Sequence, residues 1–146
     1  GGEVGSEKWS YKLAWLARLA AWVERQSGGP PLVLCGDFNV APEDRDVASP
    51  EAWAGSVLCH EEVRAAWERL LSTGLVDAFR LHHAEGGLYT WWDYRMLAFP
   101  KNEGLRIDHV LLAPSLAPRC TAAFVDRAER KGKLPSDHAP VLVDLA

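Results

Sequence analysis

Cysteine is scarce and scattered: Cys35, Cys59 and Cys120 are odd in number and far apart in sequence. Their spacing fits neither a disulfide framework nor a zinc site, so they are expected to be reduced and to act as small apolar fillers. No run of residues approaches the roughly 20 apolar positions that a membrane span requires. The opening GGEVGSEKW lacks the basic-then-apolar layout of a secretory signal, so no membrane partner and a cytoplasmic location are expected. Overall basicity is also lacking, since the formal net charge is −4. A chain that holds nucleic acid by bulk positive charge is therefore excluded.

The charge is unevenly placed. Between Arg95 and Lys133 there are eight Lys or Arg against four Asp or Glu. That is enough for a local phosphate-facing patch, although counting alone leaves an ordinary solvated surface equally open. Hydrophobic residues make up 48% and charged residues 25% of the 146, the balance of one globular domain with a single core. Seven tryptophans are many for this length. Trp9, Trp15, Trp22, Trp53 and Trp67 fall in helical or turn-like segments where core packing accounts for them. Trp91 and Trp92 adjoin the basic stretch, where an aromatic face is suited to touching a base or a sugar.

Near-helical spacing of Leu13, Leu16, Ala17, Ala20, Trp22 and Val23 predicts an amphipathic helix from Ser10 to about Gln26, stopped by Gly28-Gly29-Pro30-Pro31. The following Leu32-Val33-Leu34-Cys35 reads as a strand buried on both faces. A long loop is expected from Asp37 to Ala54, then a helix over His60 to Leu71 ended by Gly74, and a short helical turn over Val76 to Arg80. Tyr89 to Tyr94, Arg106 to Leu112, Ala122 to Arg127 and Val141 to Leu145 read as strands. The expected architecture is one continuous α/β unit with a mixed or antiparallel sheet.

Three short motifs carry the chemistry. In Gly36-Asp37-Phe38-Asn39 a strand ends by projecting a carboxylate and an amide at the sheet edge, with Phe38 anchoring between them; a plain turn is the alternative. In Ser136-Asp137-His138-Ala139-Pro140 a carboxylate and an imidazole sit side by side before the last strand. Neighbours in sequence rarely face each other, so Asp137 is suited to a metal or to orienting another group, while His138 points toward a phosphate or an attacking water. In Gly104-Leu105-Arg106-Ile107-Asp108-His109 an acid lies inside an apolar strand, where an unpaired charge costs several kcal/mol. His138 is the natural partner for Asp108, and an arginine salt bridge is the alternative. Oxygen ligands, an amide and an imidazole, without a Cys-His cluster, select Mg²⁺ or Mn²⁺ over zinc. Phosphodiester hydrolysis needs an activated water, a cation and donors to the non-bridging oxygens, and Asp37, Asn39 and His138 suit those roles.

GDFNVAP, YTWWDYR, GLRIDHVL and PSDHAPV, in that order, resemble the exonuclease III family of abasic-site endonucleases, within the DNase I-like endonuclease, exonuclease and phosphatase folds. GDFN and SDH are shared across the wider group, whereas YTWWDYR with GLRID is much narrower. The resemblance implies that Asp37 aligns the attacking water and Asn39 helps hold the transition-state phosphate. It also implies that Asp108 orients His138, that His138 contacts the scissile phosphate, and that Asp137 binds the metal, with Asp37 and Asn39 beside it. Trp91, Leu105 and Ile107 fall where the family builds an apolar pocket for a flipped-out sugar lacking its base. Arg95 and Arg106 are expected to touch DNA phosphates.

The fold that the resemblance implies is a four-layered α/β sandwich of two similar halves, and the matching motifs are those of the second half. The family's first-half Asn, metal-binding Glu and active-site Tyr have no counterparts in the surroundings of Glu3, Glu7 or Tyr11. The chain is therefore expected to be a C-terminal half whose inner sheet face needs the missing N-terminal half as partner. The implied substrate is double-stranded DNA with abasic sites or 3′ ends, in base excision repair. Two other readings stay open: the same chemistry on lipid or sugar-phosphate esters, and a non-catalytic DNA-binding fragment.

Overall fold

The computed structural model describes residues 2–146. Its first helix, α1 (Glu7–Arg25), starts one turn earlier than periodicity predicts because Ser6 caps it, the hydroxyl accepting the Trp9 N–H at 3.2 Å. Glu7 in the first turn and Arg25 in the last complement the helix dipole. Trp9, Leu16, Ala20 and Val23 recur every three to seven residues and form the buried stripe. Trp15 and Trp22 fall off that stripe and are exposed, so the core role expected for them does not hold.

Strand β1 (Val33–Asp37) is followed by a 3₁₀ turn at Asp44–Asp46 and a short helix α2 (Pro50–Trp53), so the long segment after β1 is folded rather than featureless. Helix α3 (Glu61–Leu71) is capped by His60, whose Nδ1 accepts the Glu62 N–H. Strand β2 (Val76–Asp77) leads directly into α4 (Ala78–His82). The remaining strands are β3 (Trp91–Trp92), β4 (Gly104–Leu105), β5 (Asp108–Leu112), β6 (Cys120–Val125) and β7 (Val141–Leu145).

The strand expected from Arg106 to Leu112 starts two residues later, as β5 at Asp108, with a break between it and β4. At the break the Arg106 N–H turns to the Asp46 carbonyl, and the Ile107 N–H turns to the Thr90 hydroxyl. The strand expected over Tyr89 to Tyr94 shrinks to two residues, because Asp93 accepts the Arg95 backbone N–H and starts a turn.

All named pairings are antiparallel. The largest sheet has the order β1-β5-β2, with β3-β4 and β6-β7 as separate two-stranded pieces. One face of the large sheet, carrying Leu34 and Leu111, packs on α1 and α3 through Leu16, Val63, Trp67 and Leu70. On the opposite face Leu112 and Val110 meet Leu116, Cys120 and Val143, which brings the β6-β7 pair across part of that face. The rest stays open. Val33 is 45% exposed and Cys35 is exposed, so β1 is an edge strand with one open face, not the doubly buried strand expected from its apolar run. All three thiols are free, with Cys59 and Cys120 buried. Among the described residues no helix is long and apolar enough to cross a membrane.

Candidate active site

Alternation along a strand decides where the carboxylates go. Val33, Cys35 and Asp37 share one face of β1, and the antiparallel register sets Asp37 opposite Asp108, the first residue of β5. Two acids from distant parts of the sequence thereby end side by side on the open face of the sheet.

The chain leaves β1 in a turn held from several directions. The Asn39 N–H donates to Asp37 Oδ1 at 2.9 Å, and Asn39 sits at φ 52°, in the left-handed region that asparagine tolerates better than most residues. Phe38 is buried with its ring edge-on to Trp67, 5.6 Å between centroids, which anchors the turn in the helical layer. Two side chains hold the turn's carbonyls. Lys12 Nζ donates to the Asn39 carbonyl at 2.5 Å and to the Val57 carbonyl at 2.8 Å. His109 Nε2 donates to the Val40 carbonyl at 2.8 Å. Burial lowers the Lys12 pKa to about 8, against the pull of Asp37. Burial and then the nearby Arg106 lower the His109 pKa to about 4, so this ring is neutral at physiological pH.

His138 completes the cluster. Its Nδ1 lies 2.8 Å from Asp108 Oδ2, as the buried acid required. The other ring nitrogen, Nε2, stands 3.8 Å from Asp37 Oδ2 and 3.9 Å from Asp137 Oδ1, beyond direct hydrogen bonding. The second oxygen of Asp137 accepts the Trp91 indole N–H at 2.9 Å. Burial raises the Asp108 pKa, and the bonds from Thr90 and His138 only partly offset it. Burial of the His138 ring works against its charge, but the bond to Asp108 and the charges of Asp108, Asp37 and Asp137 prevail, and its pKa is raised. Ligand atoms of Asp37, Asp108 and His138 all lie within 4.8 Å of one another. Within that group Asp108 gives one oxygen to the imidazole and Asp37 one to the Asn39 N–H, while Asp137 lies outside it, near the Nε2 end of the ring.

The expected substrate-binding residues divide. Trp91 is half-buried at the cluster's rim, edge-on to Trp53 at 5.9 Å. Leu105 and Ile107 are buried in a core with Ala41, Val47, Leu58 and Cys59, behind the Trp91 ring, so they back the rim and present no surface of their own. Arg106 cannot touch a phosphate: it is 1% exposed, and its guanidinium is spent on Asp46 at 2.7 Å and Asp77 at 2.7 Å. Arg95 is exposed and paired with Asp93, whose carboxyl it holds down to about 2. Trp92 is fully buried, with its indole donating to Asn102, which removes it from any nucleic-acid surface.

Two residues of the site escape sequence reasoning. Lys12 sits three residues after Trp9 and four before Leu16, so a charge on the buried stripe of α1 was the available signal. Thr90, fully buried, accepts the N–H groups of Ile107 at 3.0 Å and Asp108 at 3.1 Å; in the sequence it looks like an ordinary strand former.

This arrangement has close counterparts. Exodeoxyribonuclease III of Haemophilus influenzae is 34% identical over 142 residues, covering 92% of this chain and 53% of that protein. The solved AP endonuclease of Archaeoglobus fulgidus superposes with a TM-score of 0.93 at 38% identity, over 99% of this chain and 57% of the other. A 3′ phosphatase from Neisseria, solved with a product DNA hairpin, superposes with a TM-score of 0.95 at 40% identity, over 100% of this chain and 57% of the other. The chain thus spans about half the length of the relatives it matches. The α/β fold, with its antiparallel strands and outer helices, is that of the DNase I-like AP endonucleases over that shared part. The model of the endonuclease/exonuclease/phosphatase family matches residues 6–138, a stretch that holds Asp37, Asn39, Asp108, Asp137 and His138 together, and the chain belongs to that family.

Proposed function

We propose that this chain forms the C-terminal half of a Mg²⁺-dependent DNA phosphodiesterase of the exodeoxyribonuclease III type, one that incises beside abasic sites and trims 3′ ends. The observation that carries the reading is the imidazole of His138, clamped by Asp108 through Nδ1 while Nε2 faces a gap bounded by Asp37 and Asp137. The relatives are nucleases by name, and one of them was solved with product DNA, which favours DNA over lipid or sugar-phosphate esters.

The donors gathered here suit a divalent cation. Among the described residues neither Asp37 nor Asp137 forms a salt bridge with Lys or Arg, and each has a carboxylate oxygen near Nε2 of the His138 ring. Hard oxygen donors of that kind suit Mg²⁺ or Mn²⁺, held by Asp37 and Asp137 with the Asn39 amide beside them. Bound there, the ion supplies charge neutralisation on the phosphoryl oxygens.

The rest is done by the chain's own groups. The surrounding carboxylates favour the charged form of His138, which suits it to donate to a non-bridging phosphate oxygen. Asp108 fixes the ring's orientation and compensates its charge. Asp37, at the exposed end of β1, accepts a proton from the attacking water. The Trp91 rim backed by Leu105 and Ile107 gives an apolar wall on which an extruded abasic sugar can rest, and Arg95 offers a rim cation to the DNA backbone.

The test is incision of a labelled duplex bearing one abasic site, with and without Mg²⁺, by this chain alone and mixed with a separately expressed N-terminal half. The expected result is cutting that needs Mg²⁺, is restored or strengthened by mixing, and vanishes in Asp37→Ala and His138→Ala. Absence of cutting by any mixture of folded halves rejects DNA as the substrate.

A further inference from the structure

The site's two essential segments are joined through a residue that takes no part in the chemistry just described. Asp108 opens β5, and His138 lies in the loop before β7. Beside the Asp108–His138 side-chain bond and the bonds that Trp91 and Trp92 make to Asp137, these segments are tied together through Thr90. Its hydroxyl accepts the N–H groups of Ile107 and Asp108, its carbonyl accepts the Ala139 N–H at 2.8 Å, and its own N–H donates to the Leu105 carbonyl at 3.0 Å.

The geometry explains why a hydroxyl is needed. Arg106 and Ile107 separate β4 from β5, and although Asp108 stands opposite Asp37 in the β1-β5 register, the N–H groups of Ile107 and Asp108 both go to the Thr90 hydroxyl and to no neighbouring strand. Buried N–H groups in that state are costly when unmet. One oxygen with two lone pairs satisfies both. It also sets the backbone direction at Asp108, and hence where that carboxylate meets the imidazole. The carbonyl of the same residue fixes Ala139, next to His138. Both partners of the catalytic hydrogen bond are therefore referenced to a single side chain and its own peptide unit.

We infer that Thr90 is a positioning residue for the Asp108–His138 pair, acting through the backbone amides it accepts. The assignment rests on the proposed role of that pair, but its test uses neither DNA nor metal, so an inactive chain leaves it standing and a failed test leaves the hydrolase reading intact.

The readout is the proton resonance of the His138 Nδ1–H, identified by its loss in His138→Gln and observed by NMR at low temperature in this chain. Thr90→Val keeps the volume and removes the acceptor, Thr90→Ser keeps the acceptor, and Val63→Ala weakens the fold from the remote helix α3. The expected result is a downfield resonance in the parent, Thr90→Ser and Val63→Ala, shifted upfield or broadened away in Thr90→Val. Should Thr90→Val not fold, Thr90→Cys, with sulfur as a poorer acceptor, carries the comparison and is expected to lie between the parent and a lost signal. An unchanged resonance in a folded Thr90→Val or Thr90→Cys, or its loss to the same extent in Val63→Ala, overturns the assignment and leaves Thr90 a general stabiliser.

Discussion

Two histidines one strand apart respond to pH in opposite senses. His109 is enclosed beside Arg106, and its pKa falls from 6.5 to about 4. Between those values the unfolded chain takes up a proton that the folded chain refuses, so stability is lost as pH falls, by roughly 3 kcal/mol on reaching pH 4 at about 1.4 kcal/mol per unit. The pKa of His138 is raised, so the stability it contributes is complete below the unfolded value and is lost as pH rises through the folded one. Urea midpoints measured from pH 4 to 8 are expected to flatten on the acid side in His109→Gln and on the alkaline side in His138→Gln. Acid residues and the imidazole of the site were legible because Asp37, Asp108, Asp137 and His138 stand in short, chemically distinctive strings. Their supports were not: Lys12 and Thr90 act on backbone groups that only the folded chain brings near, from 27 residues away for Asn39 and 18 for Asp108.

The break between β4 and β5 is held by charge. Arg106 binds Asp46 of the first 3₁₀ turn and Asp77 at the end of β2, and Arg80 also reaches Asp46. Burial opposes ionisation of Asp77, yet Arg106 outweighs it and its pKa is lowered. Removing one member strands the others, so Arg106→Met is expected to cost about 3–5 kcal/mol in denaturant unfolding. The sequence showed Arg106 as a cation near a presumed DNA surface; its inward turn depends on a kink that hydrophobic periodicity cannot reveal. The neighbouring β3-β4 pair depends on space instead. A Cβ on Gly104 would lie 2.6 Å from the Trp92 indole nitrogen and 2.8 Å from the Trp91 carbonyl. Gly104→Ala is therefore expected to lower stability by about 1–3 kcal/mol by overpacking, read as a fall in melting temperature. The helix α3 and strand β7, with clear periods, were read nearly to their ends, and α1 to within one turn at its start. The two-residue strands were not, because cross-chain bonds rather than local preference define them.

At the scale of the whole chain, apolar surface remains uncovered. Phe124 and Leu142 face each other across the β6-β7 pair and are 42% and 39% exposed, while Val33 and Cys35 lie open on β1. Surfaces of this kind drive association. Sedimentation of this chain is expected to show concentration-dependent dimers or larger species, and Phe124→Glu with Leu142→Lys to move the distribution toward monomer. The apolar run of β1 signalled a buried strand because the sequence records what a strand is suited to meet; among the described residues its one strand neighbour is β5. That one-sided attachment governs time as well as place. Amides on the unpaired edge of β1 trade hydrogen with solvent through small openings that leave the central β5 untouched. Asp37 ends that strand while Asp108 starts the other, so of two acids facing each other one is mounted on an edge strand and one on the central strand. A strand laid along the free edge of β1 would lengthen the intervals during which Asp37 stays aimed, without touching its side chain.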